Sequence, residues 1–390
     1  MRKQVLFIFG LVTTALVVLG LVILSSAGQR YGVRLYGNEG VNEYIFLRGQ
    51  LKYVGIALVV ATLFAWFDYR NWRNYPFLTI AAYISILILL VLVLFTDPIK
   101  GSRRWLDLKF FNFQPGEMAK IFTVIAVAAW LDRSSWRVGL WKNGFWCPIM
   151  IIGLFAGLVI AEPDFGSFMV IGLAGLLMMV LGGVQMIQIF IIFLIGFIGF
   201  VGYLIHNPNR MARLAAWLGV SDLNVGAKIS EGAAEQADYQ VNQALIAFKN
   251  GGYFGVGLNQ SMQKYHYLPE AHTDFIFAIG AEELGMVFTI PVFLLFVLFF
   301  ILALYIARKS CDKFGRSLAY GMAFLIFFQA MFNMGVVCKA FPTKGMALPF
   351  FSYGGTNMLS SAIAVGTILS VGIQSLKEKR RALLRKVVLR

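Results

Sequence analysis

The sequence predicts an all-α polytopic membrane protein of about ten transmembrane helices, with one large extracytoplasmic loop between spans 7 and 8. Three observations lead there. Of 390 residues, 59% are hydrophobic and 14% are charged, where an ordinary soluble domain has roughly a quarter of its residues charged. The apolar residues fall in runs suited to crossing hydrocarbon, which takes about 20 residues because lipid leaves every backbone N–H and C=O to be satisfied within the segment. Short basic links separate alternate runs, as the positive-inside tendency requires.

The expected spans are residues 5–27, 51–67, 74–96, 117–131, 146–161, 167–184, 187–205, 286–307, 317–338 and 348–373. The first follows Arg2 and Lys3 like a secretion signal, but it exceeds a signal core of about 7 to 15 residues and further spans follow, so it reads as a retained helix. With the N-terminus inside, the cytoplasm receives Arg2 and Lys3, then Arg70 and Arg73, then Arg133, Arg137 and Lys142, then the link RKSCDKFGR, and last the basic tail 374–390. An even number of spans returns both termini to the cytoplasm, and residues 1–390 read as a single membrane domain. The outer link 97–116 departs from the pattern, with Lys100, Arg103, Arg104 and Lys109 against Asp97 and Asp107. Such an excess is a reason to look for an anionic ligand outside.

The net charge of +15 would suggest nucleic acid on a soluble domain. No nucleic-acid fold signature accompanies it, so an anionic lipid surface is the expected counterpart and no nucleic-acid partner is expected. Cys147, Cys311 and Cys338 are widely spaced without a CxxC pattern, which makes packing their default role. His266 and His272 are six residues apart and His206 is remote, with no HxxxH or HExxH spacing for zinc.

The longest non-apolar stretch, 206–273, is too long for a simple turn, and loops of such length tend to be functional or disordered. Within it GVSDLNVGAKISEGAAEQAD is small, polar and open to mobility. The following YQVNQALIAFKNGGYFGVGL carries a helical stripe at Val241, Leu245 and Phe248, stopped by Gly251 and Gly252.

Four places put charged or helix-breaking residues at span edges. In GSRRWLDLKFFNFQPGEMAK, Pro115 suits a helix N-terminus, and Glu117 in the first turn meets the positive end of the helix dipole. Glu117 and Lys120 share a helical face and can neutralise each other, while Arg103 and Arg104 beside Trp105 offer fixed positive charge suited to a lipid-linked phosphate. In AEPDFGS, Glu162 and Asp164 sit where two apolar runs almost touch; charges at that depth face a cavity or a partner, unless Asp164 only caps a tight turn. In YHYLPEAHTDFIFAIGAEELG, Thr273 or Asp274 can cap a helix beginning at Phe275, and a carboxylate there also suits a catalytic base. In KAFPTKGMALPFFSYGGTN, the Pro and Gly residues interrupt the membrane segment, which is tolerated only beside protein or a water-filled cavity, and Lys344 either holds a phosphate or caps the cavity wall. Asp164, Glu270, His272 and Ser352 are secondary site candidates, while Glu282 and Glu283 read as structural or partner-facing. Four such edges on one side imply an outward-facing polar cavity, which fits a transporter or a membrane-embedded enzyme.

The pieces RRWLDLKFFNFQPGEMAK, EPDFGS, NQALIAFKNGGYFGVGLNQS, YLPEAHTDFIFAIGAEELG and FPTKGMALPFFSYGGTN resemble, in this order, the SEDS family, the RodA, FtsW and SpoVE group. YLPEAHTDFIFA, and PTKG before LPFFSYGG, are more similar to the division members (FtsW) than to the elongation members (RodA). The usual FQPSE is FQPGE here, with Gly116 for Ser, and Phe351 stands where the family often has Ile.

The resemblance implies polymerisation of glycan strands from lipid II at the outer face of the bacterial cytoplasmic membrane, at the septum for the division members. It implies a class B penicillin-binding protein as transpeptidase partner, and divisome membrane proteins around them. It puts the family's loop aspartate on Asp274, its acid and base on Glu117 and Lys120, and its arginine before the RWL tryptophan on Arg104. Arg103, Arg104, Lys120 and Lys344, or a divalent cation such as Mg2+ or Mn2+, would meet the diphosphate; no dedicated metal motif or built-in cofactor is expected. The rival readings are a lipid II transporter, a noncatalytic scaffold that recruits the transpeptidase and, within the family, an elongation polymerase like RodA.

Overall fold

The computed structural model describes residues 3–28, 44–97, 103–108, 112–135, 138–206, 231–265, 267–342 and 344–388, together with residues 211, 214 and 217. Its helices are α1 (Lys3–Ala27), α2 (Ile45–Trp66), α3 (Asn71–Asn74), α4 (Pro76–Val93), α5 (Pro115–Arg133), α6 (Cys147–Ala161, entered through a π-helical turn at Trp141–Trp146) and α7 (Phe165–Gly182). They continue as α8 (Met186–His206), α9 (Glu231–Gly251), α10 (Ile276–Leu284), α11 (Met286–Arg308), α12 (Lys313–Val337) and α13 (Gly355–Val388). A two-stranded antiparallel ladder, β1 (Leu106–Asp107) with β2 (Asn112–Phe113), precedes α5 and pairs Leu106 with Phe113.

A helix lies at each of the ten expected span positions. Among the described residues, eight are long and apolar enough to cross a membrane: α1, α2, α4, α6 with its π-turn, α7, α11, α12 and the Gly355–Ala382 part of α13. The chain is a multi-pass membrane protein. Helix α5 differs for a physical reason: its 19 residues include Glu117 and Lys120, buried near its start, and Asp132 and Arg133 at its end. It packs against α4, α6, α7, α12 and α13, so protein rather than lipid surrounds it. Helix α8 is apolar throughout Met186–Gly202.

Two boundaries expected from the sequence are corrected. The last span does not start at 348, because residues 344–354 stay non-helical and α13 begins at Gly355. Helix α9 starts at Glu231, inside the segment read as open to mobility; residues 219–230 of that segment lie outside the described residues, as do Lys100, Lys109, Arg137 and His266. Of the packing roles expected for the cysteines, in the core or at an interface, the exposed Cys311 and Cys338 do not take the core one.

Polar contacts fix both ends of the bundle. At one end Arg70 bonds Glu378 at 2.6 Å, and Arg73 pairs with Asp132 at 3.5 Å, tying the α2–α3 link to α13 and to the end of α5. At the other end Glu282 and Glu283 of α10 are wholly buried. Lys264 Nζ lies 3.2 Å from Glu283 Oε1 and 2.8 Å from Ser26 Oγ of α1. Asn250 Nδ2 and the Gln263 amide donate to Glu282 at 3.2 and 3.1 Å. The amides of Val256 and Gly257 donate to the Glu282 and Glu283 carbonyls, so the chain after α9 wraps the short helix that follows Asp274. Gly285, at φ 65°, then turns α10 into α11.

Burying two adjacent carboxylates is tolerable only while their partners remain, and removing one partner of a buried pair costs about 3 to 5 kcal/mol. Lys264→Met is therefore expected to lower the thermal unfolding temperature in detergent markedly, and the pair Lys264→Met with Glu283→Leu to recover much of that loss. Equal loss from the single and double variants would show that the pair contributes nothing of its own.

Candidate active site

Helix α5 opens the site. Pro115 takes the first helical position, where its missing N–H costs nothing, and Glu117 follows in the first turn. Lys120 Nζ donates to Glu117 Oε1 at 2.7 Å and to Gln329 Oε1 of α12 at 2.9 Å, and Ser360 Oγ of α13 donates to Glu117 Oε2 at 3.3 Å. The expected pair is thus made, and it is locked to two further helices.

The β1–β2 ladder places the residues before α5. Gln114 N donates to Thr356 Oγ1 at 3.0 Å, and Thr356 Oγ1 donates to the Asn112 carbonyl at 3.2 Å, so the ladder rests on the start of α13. The Gln114 side chain leaves the helix uncapped and reaches Asp164 Oδ2 at 3.2 Å.

Asp164 is the N-cap of α7. It accepts from the Ser167 amide at 3.4 Å and from Ser167 Oγ at 2.8 Å. The same carboxylate faces Lys344 at 3.4 Å and Arg104 at 4.0 Å, so the capping and the cavity readings hold together. Gly166 makes the approach possible: a Cβ there would meet Lys344 Cε at 2.9 Å and Met346 Cγ at 3.0 Å. Burial would raise the Asp164 pKa, but Lys344 and Arg104 outweigh it and hold the carboxyl at about 2. Two residues earlier, Glu162 is wholly buried with neither side-chain oxygen hydrogen-bonded. Burial first, then the Asp164 charge, pushes it up to about 9 against the opposing pull of Arg104. Arg104 donates to the carbonyls of Glu162, at 3.3 Å, and Pro163, which clamps this turn from outside.

The Asp274 segment lies against the segment carrying Lys344. Three successive carbonyls are held: His272 O by the Tyr353 amide at 3.0 Å, Thr273 O by Ser352 Oγ at 2.6 Å, and Asp274 O by Asn333 Nδ2 at 2.7 Å. The Asp274 carboxylate packs on Gly345, in the space a side chain there would fill. The expected helix cap is not formed: α10 starts at Ile276, its N-cap position is Phe275 without a side-chain bond, and Thr273 Oγ1 turns back to Glu270 Oε2 at 3.0 Å.

All four polar edges converge on one cavity of about 440 Å³. Asp274, Arg104, Glu117, Lys120, Lys344, Asp164 and Glu270 line it. Three candidates do not. Arg103 is turned to the Leu94 carbonyl at 2.9 Å on the exposed side. The His272 ring is buried against Phe46 and Tyr353, and Ser352 lies behind the wall, accepting from the Leu348 amide at 2.7 Å. Gln114, Ser167, Gln329 and Asn357 line the cavity without having been singled out in the sequence. Neutral amides and hydroxyls on apolar helices carry no charge signal; only nearness to a motif residue, Gln114 to Pro115, Ser167 to Asp164 and Asn357 to the Gly354–Gly355 pair, could have pointed to three of them, and nothing to Gln329. Among the described residues no group of three or more His, Cys, Asp or Glu could hold a metal ion.

Residues 6–377 match the family model for the FtsW, RodA and SpoVE proteins, described as "Cell cycle protein". The chain belongs to this family. It is 34% identical over 366 residues to the "Probable peptidoglycan glycosyltransferase FtsW" of Coxiella burnetii, covering 93% of this chain and 95% of that one. The protein of the same name from Thioalkalivibrio sulfidiphilus is 36% identical over 362 residues, covering 92% and 86% of the two chains. In fold it is similar to the crystal structure of Thermus thermophilus rod shape determining protein RodA, with a TM-score of 0.63, 23% identity, and coverage of 94% and 95%. A chain from a structure described as "Structural coordination of polymerization and crosslinking by a peptidoglycan synthase complex" gives a TM-score of 0.69 at 22% identity, with coverage of 95% and 98%.

The two carboxyls of the α6–α7 turn make a pH prediction. At neutral pH folded Glu162, at about 9, keeps a proton that the unfolded chain, near 4.3, has released, so this residue makes stability fall as pH rises between those values. Asp164 acts oppositely and lower down: its contribution is full above about 3.9 and is lost as pH falls toward about 2. Glu162→Gln is expected to raise the melting temperature more at pH 8 than at pH 5, in a scan kept above pH 4 where Asp164 stays ionised. A gain that does not change with pH would contradict the protonated state.

Proposed function

We propose that this chain is a peptidoglycan glycosyltransferase, polymerising lipid II into glycan strands at the outer face of the cytoplasmic membrane. One observation carries the reading: the Asp274 carboxylate and the cations Arg104, Lys120 and Lys344 share a single cavity, in a chain whose relatives bear that name. Counting α5 and α8 as spans gives ten, which returns both termini to the cytoplasm and puts the cavity end outside, consistent with the basic links at the other end.

The reaction needs a base at the acceptor and positive charge at the leaving group. Asp274 accepts the proton of the acceptor sugar's 4-hydroxyl as that oxygen bonds to the donor's anomeric carbon. The anomeric bond to the polyprenyl diphosphate breaks from the opposite face, and configuration inverts. Arg104 and Lys344, held beside Asp164, meet the charge that grows on the diphosphate. Glu117 fixes Lys120 in the cavity wall as a third cation. A divalent cation, if the reaction uses one, would be held by a cavity carboxylate such as Asp274 or Glu270 and would supply further positive charge at the diphosphate.

The partner expected is a class B transpeptidase with divisome membrane proteins. Support comes from the peptidoglycan synthase complex that contains a chain of this fold, and from relatives named FtsW, which favour the septal role over elongation.

Asp274→Asn keeps the side chain's size and removes its basicity. Purified with its cognate transpeptidase, this variant is expected to lose glycan polymerisation by at least about 100-fold, the low end of what a positioned base supplies, with an unchanged melting temperature. Near-native polymerisation would overturn the role of Asp274. Proteoliposomes with lipid II in one leaflet test the whole reading: chain growth from that substrate supports it, and lipid crossing without polymer points to transport instead.

A further inference from the structure

Asn333 lies on α12, one turn beyond Gln329, and is 2% exposed. Its Nδ2 donates to the Asp274 carbonyl at 2.7 Å and to the Met346 carbonyl at 2.6 Å. One NH2 group thus joins the two segments that bring Asp274 and Lys344 to the cavity. Its Oδ1 has no hydrogen-bond partner, so the residue is present for its two donors and not as a general polar filler. Gln329 repeats the device one turn earlier, donating to the Ala347 carbonyl at 2.8 Å while accepting from Lys120. Asn333 itself does not line the cavity.

We propose that Asn333 is a positioning residue for the reaction inferred above: its amide clamps the Asp274 main chain to Met346 and so sets where the Asp274 carboxylate meets the acceptor hydroxyl. This rests on the glycosyltransferase reading for its consequence but not for the clamp. The argument is geometric. The Asp274 side chain packs on Gly345, the neighbour of both Lys344 and Met346, so a shift between the two segments moves the base relative to the cation on the same scale. No other amino acid offers two N–H donors on so short a stem; Asp removes the paired donors at constant size, and Gln is too long by one methylene.

The test compares the full-length native protein, in complex with its cognate transpeptidase, with Asn333→Asp and Asn333→Leu. Hydrogen–deuterium exchange over residues 270–276 and 344–353 reads the clamp, and turnover of lipid II reads its consequence. Faster exchange in both segments is expected, with turnover at saturating lipid II down on the order of 100-fold, as a displacement near 1 Å produces. KM should hold within about threefold because Asn333 does not touch the cavity. Native-like exchange in whichever variant folds overturns the clamp. Fast exchange with native turnover overturns the positioning role. If the native protein makes no polymer, the glycosyltransferase reading fails, while the exchange result still decides the clamp.

Discussion

The buried Asp164 carboxylate is the contact on which the rest of the site depends. It is 4% exposed and brings together residues from three separate polar edges: Gln114 and Arg104 from the link before α5, Ser167 from the start of α7, and Lys344 from the segment before α13. The buried carboxylate would be costly without its cations. Joined, they hold three loops that no apolar packing could place, because the residues between them are glycines, prolines and short turns.

Helix α12 does for the main chain what Asp164 does for the charges. Gln329 and Asn333 project from one face and take the carbonyls of Met346, Ala347 and Asp274, in segments with no secondary structure to satisfy them. Backbone that leaves helix or sheet inside a membrane domain must find such partners. The irregular 344–354 segment is thus as fixed as a helix, with Ser352 bonding both Leu348 N and Thr273 O from behind. Its rigidity is a property of α12 and of α13's first turn more than of its own sequence.

What could be read in the sequence follows the same division. Hydrophobic runs gave every spanning helix, because length and polarity alone decide whether a segment can cross lipid. The pair Glu117 and Lys120 was legible because helical spacing puts both on one face. The convergence of four charged edges was legible as a cavity, since isolated charges at that depth need company. Less legible was everything set by tertiary contact. Nothing local tells Arg104, which reaches the turn after α6, from Arg103, which faces Leu94. Asp274 looked like a helix cap because its type and place suit one, yet three donors from distant segments fix the preceding chain in another conformation. The two-residue strands fell below any periodic signal, and the start of α9 at Glu231 lay under a polar composition that hides a helix.

The unequal carboxyls of the α6–α7 turn explain how the cations can be both held and available. If Glu162 were ionised beside Asp164, two negative charges would bind Arg104 and Lys344 against any incoming diphosphate. Burial keeps Glu162 neutral, so a single carboxylate holds both. Asp164 also accepts from Ser167 N, Ser167 Oγ and Gln114 Nε2, none of which depends on the cations. In the reaction proposed above, a diphosphate that drew Lys344 and Arg104 toward itself would leave Asp164 hydrogen-bonded rather than as an orphaned buried charge. In the proposed reaction the cations are oriented before the diphosphate arrives, which is the condition under which fixed charge stabilises a transition state most.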